Sequence, residues 1–150
     1  MRISVINGPN LNMLGVRETN HYGSDTLDSI NAEILDAGKE EGVEVTFFQS
    51  NSEGELVSYI QGLKDNHDGV IINPGAYTHT SIAIRDSLLS VSIPFVEVHL
   101  SNVYAREEFR KKSYFSDKAI GVISGFSKAG YMFALKGIVN HLRNNLTAVC

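Results

Sequence analysis

A chain of 150 residues, 43% hydrophobic and 20% charged, has the composition of one globular domain around one core. Its net charge of −4 does not invite nucleic acid or an anionic membrane surface, and no segment approaches an apolar membrane span. Cys150 is the only cysteine, which excludes an internal disulfide and fits a cytoplasmic location; the opening apolar run is too short for a signal-peptide core.

Arg2 to Asn7 reads as a first strand, broken by Gly8-Pro9-Asn10. Leu11 to Gly23 has no clear period and carries Arg17, Glu18, His21 and Tyr22. A long irregular loop inside a compact domain is commonly functional. Thr26 is placed to cap a helix with apolar positions Leu27, Ile30, Ile34 and Leu35, and Gly42 closes it. Glu44 to Gln49 is a second strand. Ser52 and Glu55 form a capping-box pattern before Leu56, Ile60 and Leu63. Gly69 to Ile72 is a third strand, ending at Asn73-Pro74-Gly75. Thr78-His79-Thr80-Ser81 leads into a helix with Ile82, Ile84, Leu88 and Leu89. Pro94 opens a fourth, buried strand, Phe95 to His99. Tyr104 to Arg110 suggests a short helix carrying Arg106 and Arg110. Ala119 to Ser124 is a fifth strand. Tyr131, Ala134, Leu135, Ile138, Val139 and Leu142 mark a final amphipathic helix.

Regular alternation of strand and helix predicts an α/β fold: a flavodoxin-like, doubly wound, five-stranded parallel sheet of order 2-1-3-4-5. Ligands then bind outside the carboxyl ends of the strands. Asn10, Asn73, His79 and the run His99 to Asn102 all fall on that edge. Glu97 and His99 lie two residues apart, so on a strand they share a side, where a carboxylate favours the imidazolium. Backbone N–H groups near Ser101 and Asn102 suit an anion. Taken alone, His99 and the two arginines read as an edge histidine beside a solvated helix; convergence with the other loops favours a site.

No GxxxxGK[ST] loop and no GxGxxG follows the first strand. Gly-Pro-Asn-Leu-Asn does not suit a flavin phosphate, and Asn73 stands where a phosphoacceptor aspartate would be needed. No HExxH or cysteine cluster supports a metal through His79 and His99. Two alternatives stay open on these residues alone. The repeats His79-Thr80-Ser81 and His99-Leu100-Ser101 allow a two-histidine phosphoesterase, and a rimmed pocket would also serve a non-enzymatic flavodoxin-like binding module.

The runs Ile6-Asn7-Gly8-Pro9-Asn10-Leu11-Asn12, Leu14-Gly15-Val16-Arg17-Glu18 and Tyr22-Gly23 resemble the opening of type II 3-dehydroquinate dehydratases. So do Asn73 to Ser81, Glu97 to Val103, and Ala105 to Arg110. The resemblance covers nearly the whole chain in order. It departs at Thr19, where the family often has proline.

This resemblance implies a lyase that converts 3-dehydroquinate to 3-dehydroshikimate and water through an enolate, in the shikimate pathway or in quinate breakdown. It implies no cofactor, no metal and no imine. It implies one catalytic domain over residues 1–150, with a lid loop at about 11–23, and a homododecamer built as a tetramer of trimers. Tyr22 would be the base, activated by Arg17, with Arg106 nearby. His99 would be the acid, oriented by Glu97. Asn10 would place a water at the enolate oxygen. Asn73, His79 and Arg110 would hold substrate, with the N–H groups of Leu100 and Ser101 on its carboxylate. Asp86 would reach a neighbouring subunit's site. His21, His67 and His141 fit no motif and read as solvated, and Arg85 as a surface or interface charge.

Overall fold

The computed structural model describes residues 1–16 and 25–147. Five parallel strands form one sheet: β1 (Arg2–Asn7), β2 (Glu44–Gln49), β3 (Gly69–Asn73), β4 (Phe95–His99) and β5 (Gly121–Ser124). Their spatial order is β2-β1-β3-β4-β5, the doubly wound order expected from the alternation. Four helices cover the two faces: α1 (Leu27–Glu40), α2 (Glu53–Gln61), α3 (Ile82–Val91) and α4 (Ala129–Thr147).

Strand alternation sorts the apolar side chains into two cores. Ile3, Val5, Ile71, Val96 and Val98 pack with Ile30 and Ile34 of α1 and Tyr131, Leu135 and Ile138 of α4. Ile6, Val70, Ile72 and Phe95 pack on the other side with Leu56 and Ile60 of α2, Ile84 and Leu88 of α3, and Phe115. Each large apolar side chain so buried contributes about 1.5–3 kcal/mol relative to exposure. β1, β3 and β4 are buried on both faces, hence their near-continuous apolar runs.

Side-chain caps start the helices. Thr26 Oγ1 accepts from Ser29 N at 3.1 Å, and Ser81 Oγ from Ile84 N at 3.0 Å. The capping box at α2 is only half made. Ser52 Oγ accepts from Glu55 N, but the Glu55 carboxylate takes the Ser50 hydroxyl instead of reaching back to the Ser52 N–H. Gly42 has φ 67°, the left-handed geometry that ends α1.

Several sequence expectations need correction. Tyr104 to Arg110 is not one helix but two 3₁₀ turns, Val103–Ala105 and Glu108–Arg110, separated by extended backbone at Arg106. With Tyr104 and Phe109 exposed, the segment lacks the buried face that stabilises a short helix. On α3, Ile82 and Leu89 are exposed, and Ser87 and Val91 join Ile84 and Leu88 inside; Leu35 of α1 is likewise exposed. His67 is half-buried rather than solvated, with Nε2 2.9 Å from Thr46 Oγ1. Burial, followed by the charge of Arg2, pushes its imidazole below the ordinary value. Arg85 is held by Asp117 and by the Tyr114 carbonyl. Among the described residues no helix is long and apolar enough to cross a membrane.

β1 and β3 are adjacent, yet the chain leaves them toward opposite faces, which opens a crevice at their carboxyl ends. The crevice wall is tight at Gly8. Gly8 N donates to Asn73 O at 2.8 Å, and a Cβ on Gly8 would lie 2.3 Å from the Pro74 carbonyl oxygen. That obstacle is backbone, so it cannot swing away. Gly8→Ala is therefore expected to lower stability by about 1–3 kcal/mol, the usual penalty of overpacking. Urea unfolding should show a lower midpoint at unchanged slope; an unchanged midpoint would mean that the two loops slide apart without strain.

Candidate active site

A cavity of about 200 Å³ occupies the crevice. Three chain segments line it. Pro9, Asn10, Leu11, Met13 and Leu14 follow β1; Asn73, Gly75, Ala76 and His79 end and follow β3; His99, Leu100, Ser101, Val103, Arg106 and Arg110 end and follow β4. The structure thus brings together Asn10, Asn73, His79, His99, Leu100, Ser101, Arg106 and Arg110. Asp86 is exposed and does not line the cavity of its own chain. Arg17 and Tyr22, like His21, lie outside the described residues. Tyr77 turns away from the cavity lining; its hydroxyl donates to the Asn51 carbonyl at 2.8 Å.

Behind the cavity sits Glu97, with no solvent exposure at all. Its Oε1 lies 2.7 Å from His99 Nε2, 2.7 Å from Thr78 Oγ1 and 2.8 Å from Ser113 Oγ; Oε2 is 3.0 Å from the same Ser113 oxygen. Burial pushes the carboxyl up, but the hydrogen bonds from His99, Thr78 and Ser113 and the charge of His99 outweigh it. Glu97 is held below the ordinary carboxylate range. A carboxylate here fixes the His99 ring with its Nε2 proton directed at Glu97, and Nδ1 is the ring nitrogen left for other partners.

His79 is turned by a different contact. Its Nδ1 donates to the Lys112 carbonyl at 2.7 Å. Burial lowers its pKa, the Lys112 carbonyl opposes that, and the positive charges of His99 and Arg110 lower it further. The ring is neutral at pH 7, with its proton on Nδ1 and an accepting Nε2, which suits a ligand hydroxyl.

The cationic side of the mouth is built on Glu107. Arg110 Nε donates to Glu107 Oε2 at 2.8 Å, and Arg106 Nε lies 3.7 Å from the same oxygen. Arg106 Nη1 also reaches Ser101 Oγ at 3.3 Å. Glu107 is exposed, so these pairs are weak and a ligand anion can displace them.

Asn73 is set by a buried chain that the sequence did not announce. Tyr131, an apolar stripe residue of α4, donates its hydroxyl to Asn7 Oδ1 and accepts from Asn73 Nδ2 at 3.1 Å. Asn73 Oδ1 accepts from Gly75 N at 3.2 Å. Burial drives the Tyr131 phenol well above its ordinary value, only partly offset by the Asn73 amide, so it stays protonated. Thr78 and Ser113 were also missed. Thr78 lies within a motif, but Ser113 lies in none, and only the tertiary fold brings it to Glu97.

Fold and cavity together define a doubly wound parallel α/β protein with a cavity lined by histidines and arginines at the carboxyl edge of its sheet. A sequence profile described as dehydroquinase class II matches residues 1–139, and the chain belongs to that family. It is 57% identical over 143 residues to a 3-dehydroquinate dehydratase of Prochlorococcus marinus (strain NATL1A), covering 95% of this chain and 99% of that protein. It is 53% identical over 143 residues to the one from Geotalea daltonii, with coverage of 95% and 99%. Among solved structures, a type II dehydroquinase from Butyrivibrio crossotus superposes with a TM-score of 0.90 at 48% identity, over 92% of this chain and 97% of that one.

Tyr131→Phe should separate the buried chain from mere packing. It leaves Asn7 Oδ1 and Asn73 Nδ2 without a partner, a loss of about 1–3 kcal/mol. Because Asn73 lines the cavity, KM should rise as well, with kcat changed less. Denaturant unfolding and steady-state kinetics measure the two effects, and a full-stability variant would show that the asparagines re-pair.

Proposed function

We propose that this chain catalyses the reversible loss of water from 3-dehydroquinate to give 3-dehydroshikimate, the step of the shikimate pathway for which its relatives are named. The observation that carries the proposal is the His99–Glu97 pair, poised on a cavity whose other walls offer two arginines, a neutral histidine and a fixed amide. Family membership leaves the phosphoesterase and binding-module readings without support.

The substrate is a ketone with hydroxyls and a carboxylate, and each part finds a complement. Tyr22 removes the C2 proton beside the ketone. A free tyrosine titrates near about 10 and needs a neighbouring cation to act at neutral pH, supplied by Arg17 with Arg106 near it. The resulting enolate oxygen is met by a water placed by Asn10. The enolate then re-forms the ketone and expels the C1 hydroxyl, which takes the proton from His99 and leaves as water. His99 regains a proton, and Tyr22 loses one, through solvent. The substrate carboxylate rests on the N–H groups of Leu100 and Ser101, and the ring hydroxyls on Asn73, His79 and Arg110.

In this reading residues 1–150 act as one catalytic domain and the segment at about 11–23 is its lid. The exposed placement of Asp86, away from its own cavity, supports an assembly in which it serves a neighbour. The assembly proposed is the homododecamer, a tetramer of trimers, in the cytoplasm. Light scattering should give a particle of about twelve chains of 16.5 kDa, or a trimer on dissociation; a fully active monomer would remove Asp86 from the site.

Mixing protein with 3-dehydroquinate should produce the ultraviolet absorbance of the conjugated enone. Tyr22→Phe and His99→Ala should each slow turnover, acid–base groups typically contributing about 10²–10⁴-fold. In deuterated water they should differ: residual exchange of the C2 proton persists in His99→Ala and vanishes in Tyr22→Phe. Exchange at the unmutated rate in Tyr22→Phe would transfer the base role to His79.

A further inference from the structure

We propose that Thr78 and Ser113 are positioning residues for the acid: their hydroxyls fix Glu97 as an acceptor and so decide which ring nitrogen of His99 carries the proton to substrate. The inference rests on His99 being the acid of the dehydration.

The argument starts at Ser113. Its Oγ accepts from Phe115 N at 2.9 Å and from Ser116 N at 3.1 Å. A serine hydroxyl has two acceptor sites and one proton. Both acceptor sites are filled by backbone, so the proton goes to the carboxylate, shared between Oε1 and Oε2. Ser113 can only donate to Glu97. Thr78 Oγ1, itself buried, donates to Oε1 from the opposite loop.

The two hydroxyls come from different elements and flank the His99 contact. With them in place Glu97 has nothing to give a proton to except His99, and every geometry favours acceptance. The ring then keeps its Nε2 proton throughout the cycle, and the proton transferred to the leaving hydroxyl is the one on Nδ1. The bond formed is between that proton and the departing oxygen, the bond broken is Nδ1–H, and Glu97 remains a carboxylate. Among the described residues, the other titratable or charged side chains lining the cavity beside the pair are His79, from the turn after β3, and Arg106 and Arg110, from the segment after β4. His79 directs its Nδ1 proton to the Lys112 carbonyl and the two arginines bond Glu107, so none of the three replaces the hydroxyls as donors to Glu97.

Removing a donor lets the Glu97 carboxyl rise, so it takes up a proton on acidification sooner. Thr78→Val keeps the shape and deletes the donor. It should lower kcat about tenfold or more, the effect of one hydrogen bond to a charged group, with KM nearly unchanged. The acidic limb of the kcat profile should move to higher pH, while C2-proton exchange in deuterated water persists. Thr78→Ser, which keeps the hydroxyl, should restore both kcat and the limb. Ser113→Ala should add to the loss; because Ser113 also holds the turn at Phe115, its melting temperature is measured alongside, and Thr78→Val decides if that variant unfolds. An unchanged acidic limb in Thr78→Val, or an equal loss in Thr78→Ser, overturns the inference. Absence of enone product from the unmutated protein would instead overturn the function on which it rests.

Discussion

One buried carboxylate organises the catalytic edge of this protein. Glu97 lies on the same sheet face as Phe95 and is fully enclosed. Removing an ion from water costs several kcal/mol even after relaxation, and one partner rarely offsets it. Here the donors come from three places: β4 itself, the turn after β3, and the segment before β5. The charge therefore constrains the relative placement of those segments, which also carry His79, His99 and the arginines. A well-packed apolar residue at this position would serve stability as well or better. The carboxylate is explained by what it does to His99.

The other half of the cavity is set without charge. At the switch point the contact of Gly8 with Pro74 brings the loops after β1 and β3 together, closer than any side chain at Gly8 would permit. Tyr131 ties the same two strand ends through Asn7 and Asn73. Its phenol is a structural group: burial raises its pKa and its proton is committed to Asn7. So the wall carrying Asn10 and Asn73 is positioned by neutral hydrogen bonds and close packing, and the wall carrying His99 by an anion. The two walls of the cavity rest on separate supports.

The fold was readable because its elements are locally consistent. Alternating strand and helix runs, with Thr26, Ser52 and Ser81 as caps, leave little choice of class. Boundaries and faces were less readable. The sequence around Tyr104 to Arg110 has helical composition, but its aromatic side chains find no core to pack against, and extended backbone at Arg106 splits it. Ile82 and Leu89 read as core because they are apolar, although they lie on the outer face of α3. The Glu97–His99 contact followed from strand period alone. Ser113 did not: fourteen positions beyond His99, with no local pattern, it reaches Glu97 only through the path of the chain between β4 and β5. Tyr131 was legible as apolar surface but not as a hydroxyl, since a helical stripe says nothing about where a polar tip ends.

These supports also limit which groups are available for proton abstraction. In the proposed mechanism His99 is the acid, its Nε2 held by the Glu97 carboxylate. Tyr131 is buried, protonated and already donating. Among the described cavity residues that leaves His79, neutral and with Nε2 accepting, as the one histidine able to receive a proton. Two positive neighbours, His99 and Arg110, oppose its becoming charged, so it is a poor base where it stands. The same cations favour an anionic base brought to the cavity from elsewhere, because a phenolate gains from the field that penalises an imidazolium. Electrostatics of the described walls thus favour a tyrosine over a histidine as the base, which is the role proposed for Tyr22.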